Sequence, residues 1–100
     1  MTATEMNNTI EARFVEFDSA NPEVYTRLRE MALKLKRAGR KQYGMAALFE
    51  AMRFHHALET NDPDFKLNHN YRALYARLLM SQEPELEGFF RTRRRRGEYD

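Results

Sequence analysis

The chain has 100 residues, 42% of them hydrophobic, with no cysteine and a formal net charge of +2, which is the size and apolar content of one domain with one core. The absence of cysteine excludes disulfides, thiolate catalysis and Cys-ligated zinc, and it fits a reducing cytoplasm. No stretch approaches the roughly 18 apolar residues of a membrane span, and residues 1–20 carry Glu5, Glu11, Glu16 and Asp18 with no apolar run, so neither a membrane partner nor a secretory leader is expected.

Residues 1–8 are small and polar and are expected to fray. Ile10, Phe14 and Phe17 then recur at helical spacing, consistent with a short helix or packed arm. Asp18-Ser19-Ala20-Asn21-Pro22 reads as a break, with Asn21 as a helix cap and Pro22 at the first helical position. A helix is expected from there to about Ala38, stopped by Gly39, with Val24, Leu28, Met31 and Leu35 as its inward stripe. A second helix is expected over about Met45–Leu58. Met45, Leu48, Phe49, Met52 and His56 share one face, and Phe54 and Leu58 widen it, making this the most buried helix. Glu59-Thr60-Asn61-Asp62-Pro63-Asp64 is a polar turn, and Phe65 and Leu67 pin its far end. A third helix runs from Asn68 or Asn70 to about Ser81, with Tyr71, Leu74, Tyr75 and Leu78 facing in. Glu83-Pro84-Glu85 opens a short terminal helix, and Leu86, Phe89 and Phe90 close it onto the core. With no period-2 run of β-branched residues, a sheet is not expected.

The fold expected is therefore all-α: a small orthogonal bundle of four or five helices, with a trihelical helix-turn-helix-like arrangement as a variant. Residues 1–8 form a flexible N-terminus, residues 9–90 a single helical domain, and residues 91–100 a flexible basic tail.

No catalytic signature is present. Ser19 and Ser81 lack a neighbouring base, and there is no glycine-rich phosphate loop or paired-acid motif. His55 and His56 are adjacent, so on a helix they point about 100° apart and cannot chelate one ion together. His55 or His56 with Glu59, plus His69 across the loop, would make a metal site only if that loop folds back, and a packed His56 is the simpler reading. No cofactor, metal or enzymatic activity is expected.

Charge is unevenly distributed. Residues 1–23 sum to −4, 24–58 to +6, 59–90 to −3 and 91–100 to +3. The alternation suits a polyanionic partner. Lys34, Arg37 and Lys41 fall at helical spacing with Lys36 and Arg40 beside them, giving a patch suited to phosphates. The third helix opens with Asn68, His69, Asn70 and Arg72. Asn and Arg are the side chains that pair with adenine and guanine edges, and a recognition helix presents its N-terminal residues to the major groove. Against this, the connection before it is about nine residues long, whereas a strict helix-turn-helix uses three or four. Asn68 and Asn70 also read as caps, and the cations as a solvated face. Arg93, Arg94, Arg95 and Arg96 suit phosphate or an acidic protein surface. Six Met and the aromatics Phe14, Phe17, Tyr43 and Phe54 suit a helical docking surface or homodimer.

Asn21-Pro22, Gly39-Arg40 through Tyr43, Leu48-Phe49-Glu50-Ala51-Met52-Arg53, Lys66 through Arg72, Tyr75-Ala76-Arg77, and Pro84-Glu85-Leu86 through Phe89-Phe90-Arg91 give the chain a further character. Over Asn21–Arg93 it resembles small helical proteins of phages, prophages and bacterial genomes. That family has no settled activity to carry over, so the resemblance implies a mobile-element or bacterial setting and no more. Glu50 is expected to pair with Arg53, or with Arg72 or Arg77 across helices. The leading function expected is a small DNA-binding protein. The alternative is a non-enzymatic protein-interaction module, dimeric or docking on a host or phage protein.

Overall fold

The computed structural model of the chain describes residues 9–60 and 66–91. Residues 1–8, Phe65 and Arg93–Arg96, to which the sequence assigns roles, lie outside the described residues. Those described form four α-helices and two 3₁₀ turns, with no strand among them.

Helix α1, Ile10–Ala20, starts where the Thr9 hydroxyl accepts the Ala12 N–H at 3.0 Å, which satisfies one of the orphan donors of the first turn. It continues through the expected break and stops at a single residue. Asn21 precedes proline, which disfavours helical backbone there, and it sits at φ −134°, ψ 63°. Its side chain does not cap the next helix as expected. The amide instead donates back to the Phe17 carbonyl at 3.0 Å, closing α1. Helix α2, Pro22–Arg37, follows at once. Its end is a Schellman motif: Gly39, at φ 105°, donates to the Lys36 carbonyl, and Arg40 to that of Leu35, both at 3.1 Å.

Helix α3, Met45–Glu59, is entered through Gly44, and Tyr43 N–H donates to the Phe89 carbonyl at 3.1 Å, which ties this connection to the C-terminal segment. Asn68 does act as a cap. Its side chain accepts the Asn70 N–H at 2.9 Å and starts a 3₁₀ turn, His69–Tyr71, that runs into helix α4, Arg72–Gln82. A second 3₁₀ turn, Pro84–Leu86, stands in place of the expected short helix. Gly88 at φ 73° then turns Phe89 and Phe90 inward.

Helix α2 packs against α1, α3 and the Pro84–Leu86 turn, while α4 packs against α3 and both turns. Burial follows these neighbours rather than one ideal stripe. On α2 the buried residues are Val24, Leu28, Ala32 and Leu33, whereas the expected Met31 and Leu35 are half-buried. On α4 they are Tyr75, Ala76 and Leu79, with Leu74 and Leu78 half-buried. A helix covered from two sides buries a broader and rotated face. Helix α3 is covered on one side, by α2 and α4, so Phe54 and Leu58 stand 63% and 68% exposed instead of joining the core.

The centre of the core is aromatic. Tyr75 is fully buried, with Phe14 edge-on at 4.7 Å and Phe49 at 6.1 Å. Phe14, expected on a docking surface, is buried here. Edge-to-face pairs of this kind add about 0.5–1.5 kcal/mol beyond area burial. The Tyr75 hydroxyl donates to Asp18 Oδ1 at 3.1 Å, joining α4 to α1. Arg53 pairs with Glu50 in preference to the cross-helix alternatives, and its Nη2 also donates to the Leu67 carbonyl at 2.8 Å.

Candidate nucleic-acid interface

The basic patch expected where α2 meets α3 is weaker than its residue count. Lys34, Arg40 and Lys41 are exposed. Arg37, however, holds Glu85 with two hydrogen bonds of 2.8 and 2.9 Å. The Arg37 guanidinium keeps the Glu85 carboxyl below the usual carboxylate range, so this arginine is neutralised at neutral pH. Lys41 does not continue the helical face of Lys34 and Arg37, because α2 ends at Arg37 and Gly39 reverses the chain before it.

The start of α4 is more productive. Asn68 is occupied as a cap, but His69, Asn70 and Arg72 are exposed and line a cleft of about 700 Å³. Across it stand Arg13 of α1, the opening residues Gly44-Met45-Ala46 around the start of α3, and Arg91. Most of the apolar lining is the more buried part, with Met45 and Ala76 buried, Ile10, Ala73 and Leu74 half-buried and Ala46 exposed, while the five polar side chains are exposed. The cleft has therefore an apolar floor and a basic rim, and no acidic residue lines it among the described residues.

Four described arginines away from the cleft are held by carboxylates, whereas Arg40, also away from it, is not. Arg27 meets Glu59, Arg29 meets Glu83, Arg37 meets Glu85 and Arg53 meets Glu50. Arg13, Arg72 and Arg91 form no ion pair among the described residues, and all three line the cleft. Arg72 makes one side-chain hydrogen bond there, from Nε to the His69 carbonyl at 2.9 Å. The amino end of α3 also opens onto the cleft through Gly44, with no side-chain cap and no acid in the first turn. Its free N–H groups add partial positive charge.

Sequence reasoning found His69, Asn70 and Arg72 but left out Arg13 as one cation within an acidic stretch, and it treated Arg91 only as the root of the tail. The available signal was Arg13 being the lone base among residues 1–23, a pattern that gains meaning only once α1 is laid beside the start of α4.

Other chemistry is sparse. Among the described residues no three histidines and acids converge as metal ligands, and His56 Nε2 lies 3.1 Å from the Thr60 hydroxyl. The Ser81 hydroxyl donates to the Leu78 carbonyl. No helix among the described residues is long and apolar enough to cross a membrane. The chain matches no family model, no curated protein sequence and no solved structure.

Proposed function

We propose that this chain binds nucleic acid, duplex DNA foremost, by seating a phosphodiester backbone in the cleft bounded by α1, α3 and α4. The observation that carries the reading is the convergence of Arg13, Arg72 and Arg91, none with a carboxylate partner among the described residues, on a lining that holds no acid. Like charges gathered on one concave surface raise the local positive potential and draw counter-anions to it. Phosphate contacts of this kind set affinity and register without reading sequence. Asn70 stands beside them on the same lining, with the donor and acceptor pattern that matches an adenine edge. Arg93–Arg96, two to five residues after Arg91 in sequence, are further cations that we assign to phosphate as accessories.

The test is binding of a short DNA duplex to the full chain across a salt series. About 0.9 in the log–log slope is expected per phosphate contact, and the three cleft arginines account for about 2.7 of it. Replacing Arg93–Arg96 with Ala lowers the slope further but leaves binding at low salt. A full chain that binds no duplex at low salt refutes the proposal.

The phage, prophage or bacterial cytoplasmic setting rests on the resemblance over Asn21–Arg93 alone. A second reading, a protein-docking or self-pairing surface, is favoured by Phe54 and Leu58, one helical turn apart and largely exposed on α3. It requires a dimeric mass in solution that Phe54→Asp reduces to the monomer, and a monomeric wild type removes the homodimer.

A further inference from the structure

Arg72 differs from the other two cleft arginines in how its guanidinium is held. Its Nε donates to the His69 carbonyl at 2.9 Å, three residues back in the chain. Arg13 and Arg91 make no side-chain hydrogen bond among the described residues. A guanidinium carries five N–H donors in one rigid plane. With Nε spent on the backbone, the two Nη groups are left at the outer end of the fork, side by side. The Arg72 side chain is therefore fixed at its root by the first turn of α4 and near its tip by a carbonyl, and the head is exposed on the cleft lining.

We propose that Arg72 is the anchoring and positioning residue of the cleft, a backbone-held fork that takes two non-bridging oxygens of one phosphodiester end-on through Nη1 and Nη2. This inference rests on the nucleic-acid reading given above. Two consequences follow from the geometry. The rotamer freedom that a free arginine surrenders on binding is already lost, so contact with the oxyanion costs less entropy. Lysine also cannot replace it, because an ammonium is a point charge whose donors do not form a coplanar pair. A lysine side chain at this position that turned to the His69 carbonyl would leave the phosphate. Arg13 and Arg91 act as charges alone, and lysine serves in their place.

The experiment measures binding of a short DNA duplex to the full chain across a salt series for wild type, Arg72→Lys, Arg72→Ala and Arg13→Lys, each melted first to place the titrations below its unfolding range. Arg72→Lys keeps the charge, so its salt slope equals that of wild type, while affinity falls about tenfold, as for loss of one charge-assisted hydrogen bond. Arg72→Ala falls at least as far and lowers the slope by about 0.9. Arg13→Lys stays within about twofold of wild type. An Arg72→Lys protein that binds within about twofold of wild type overturns the inference and leaves the nucleic-acid reading standing. The inference is equally overturned if Arg13→Lys loses as much as Arg72→Lys, since the fork would then have no special standing. A wild type that binds no duplex at low salt overturns both.

Discussion

Replacing Tyr75 with Phe isolates one hydrogen bond at the centre of the fold. Tyr75 is fully buried, and its ring fills the space between Phe14 and Phe49. Phe keeps that ring, so no cavity forms, and the loss is confined to the 3.1 Å bond to Asp18 Oδ1. Bonds to charged groups contribute about 1.5–3 kcal/mol. Asp18 is half-buried and regains water in the variant, which brings the expected loss to about 1–1.5 kcal/mol. For a chain of this size, each kcal/mol lowers Tm by about 4–8 °C. Tyr75→Ala removes the ring as well and costs about 3–5 kcal/mol. The variant also changes the pH dependence. Burial first, and the negative charge of Asp18 second, raise the Tyr75 pKa above the ordinary phenol value. A raised pKa means that the folded protein keeps a proton which the unfolded chain gives up above pH about 10. The associated stability is whole below that pH and falls as pH rises beyond it. Tyr25, raised mainly by burial, adds a smaller effect of the same sign. Tyr75→Phe is thus less stable at neutral pH yet loses less on going alkaline. Urea melts followed by circular dichroism at neutral pH, and through the alkaline range, measure both effects. A variant equal to wild type at neutral pH, with the same alkaline loss, refutes the reasoning.

Three other outcomes are expected. Leu86 and Phe89 are fully buried in the segment after α4, so Leu86→Ala and Phe89→Ala each cost about 2–5 kcal/mol, a large part of a small domain's stability, read from denaturant midpoints. Asn68→Ala removes a turn cap and costs about 1 kcal/mol in a thermal melt, while duplex binding measured below the melt is unchanged. His69 lies on the basic rim, so His69→Asp sets a carboxylate against the phosphate backbone and weakens duplex binding at low salt in the same titration.

The helices were legible because their punctuation is local. Pro22, Gly39, Asn68 and Pro84 each act on backbone within a few residues, and the structure turns near each of them. The burial of Phe89 and Phe90 was legible from their apolar character at the end of a helical pattern. Side-chain orientation was less so. Ala32 and Leu33 are buried ahead of Met31 and Leu35 because α2 has neighbours on more than one side, which no single-helix periodicity encodes. Phe54 and Leu58 read as core for the converse reason, since no other described element packs substantially on that face of α3. The candidate site was half-visible. Asn70 and Arg72 stood out by residue type, but the neutralisation of Arg37 by Glu85 spans 48 positions of sequence, and Arg13 comes beside Arg72 and Arg91 only through the packing of α1. Counting cations weighted the Lys34–Lys41 patch. What distinguishes the cleft is that its three arginines share one concave lining with no acid among the described residues.

The most direct measurement compares two triple variants in one salt series with the same duplex. The first is Arg13→Ala, Arg72→Ala and Arg91→Ala in the cleft, and the second is Lys34→Ala, Arg40→Ala and Lys41→Ala in the patch. Both sets are exposed and remove the same formal charge, so a purely global electrostatic effect would treat them alike. The cleft triple is expected to lose about 2.7 from the slope and most of the affinity, with the patch triple close to wild type. Equal losses, or a larger loss in the patch triple, contradict the assignment of binding to the cleft.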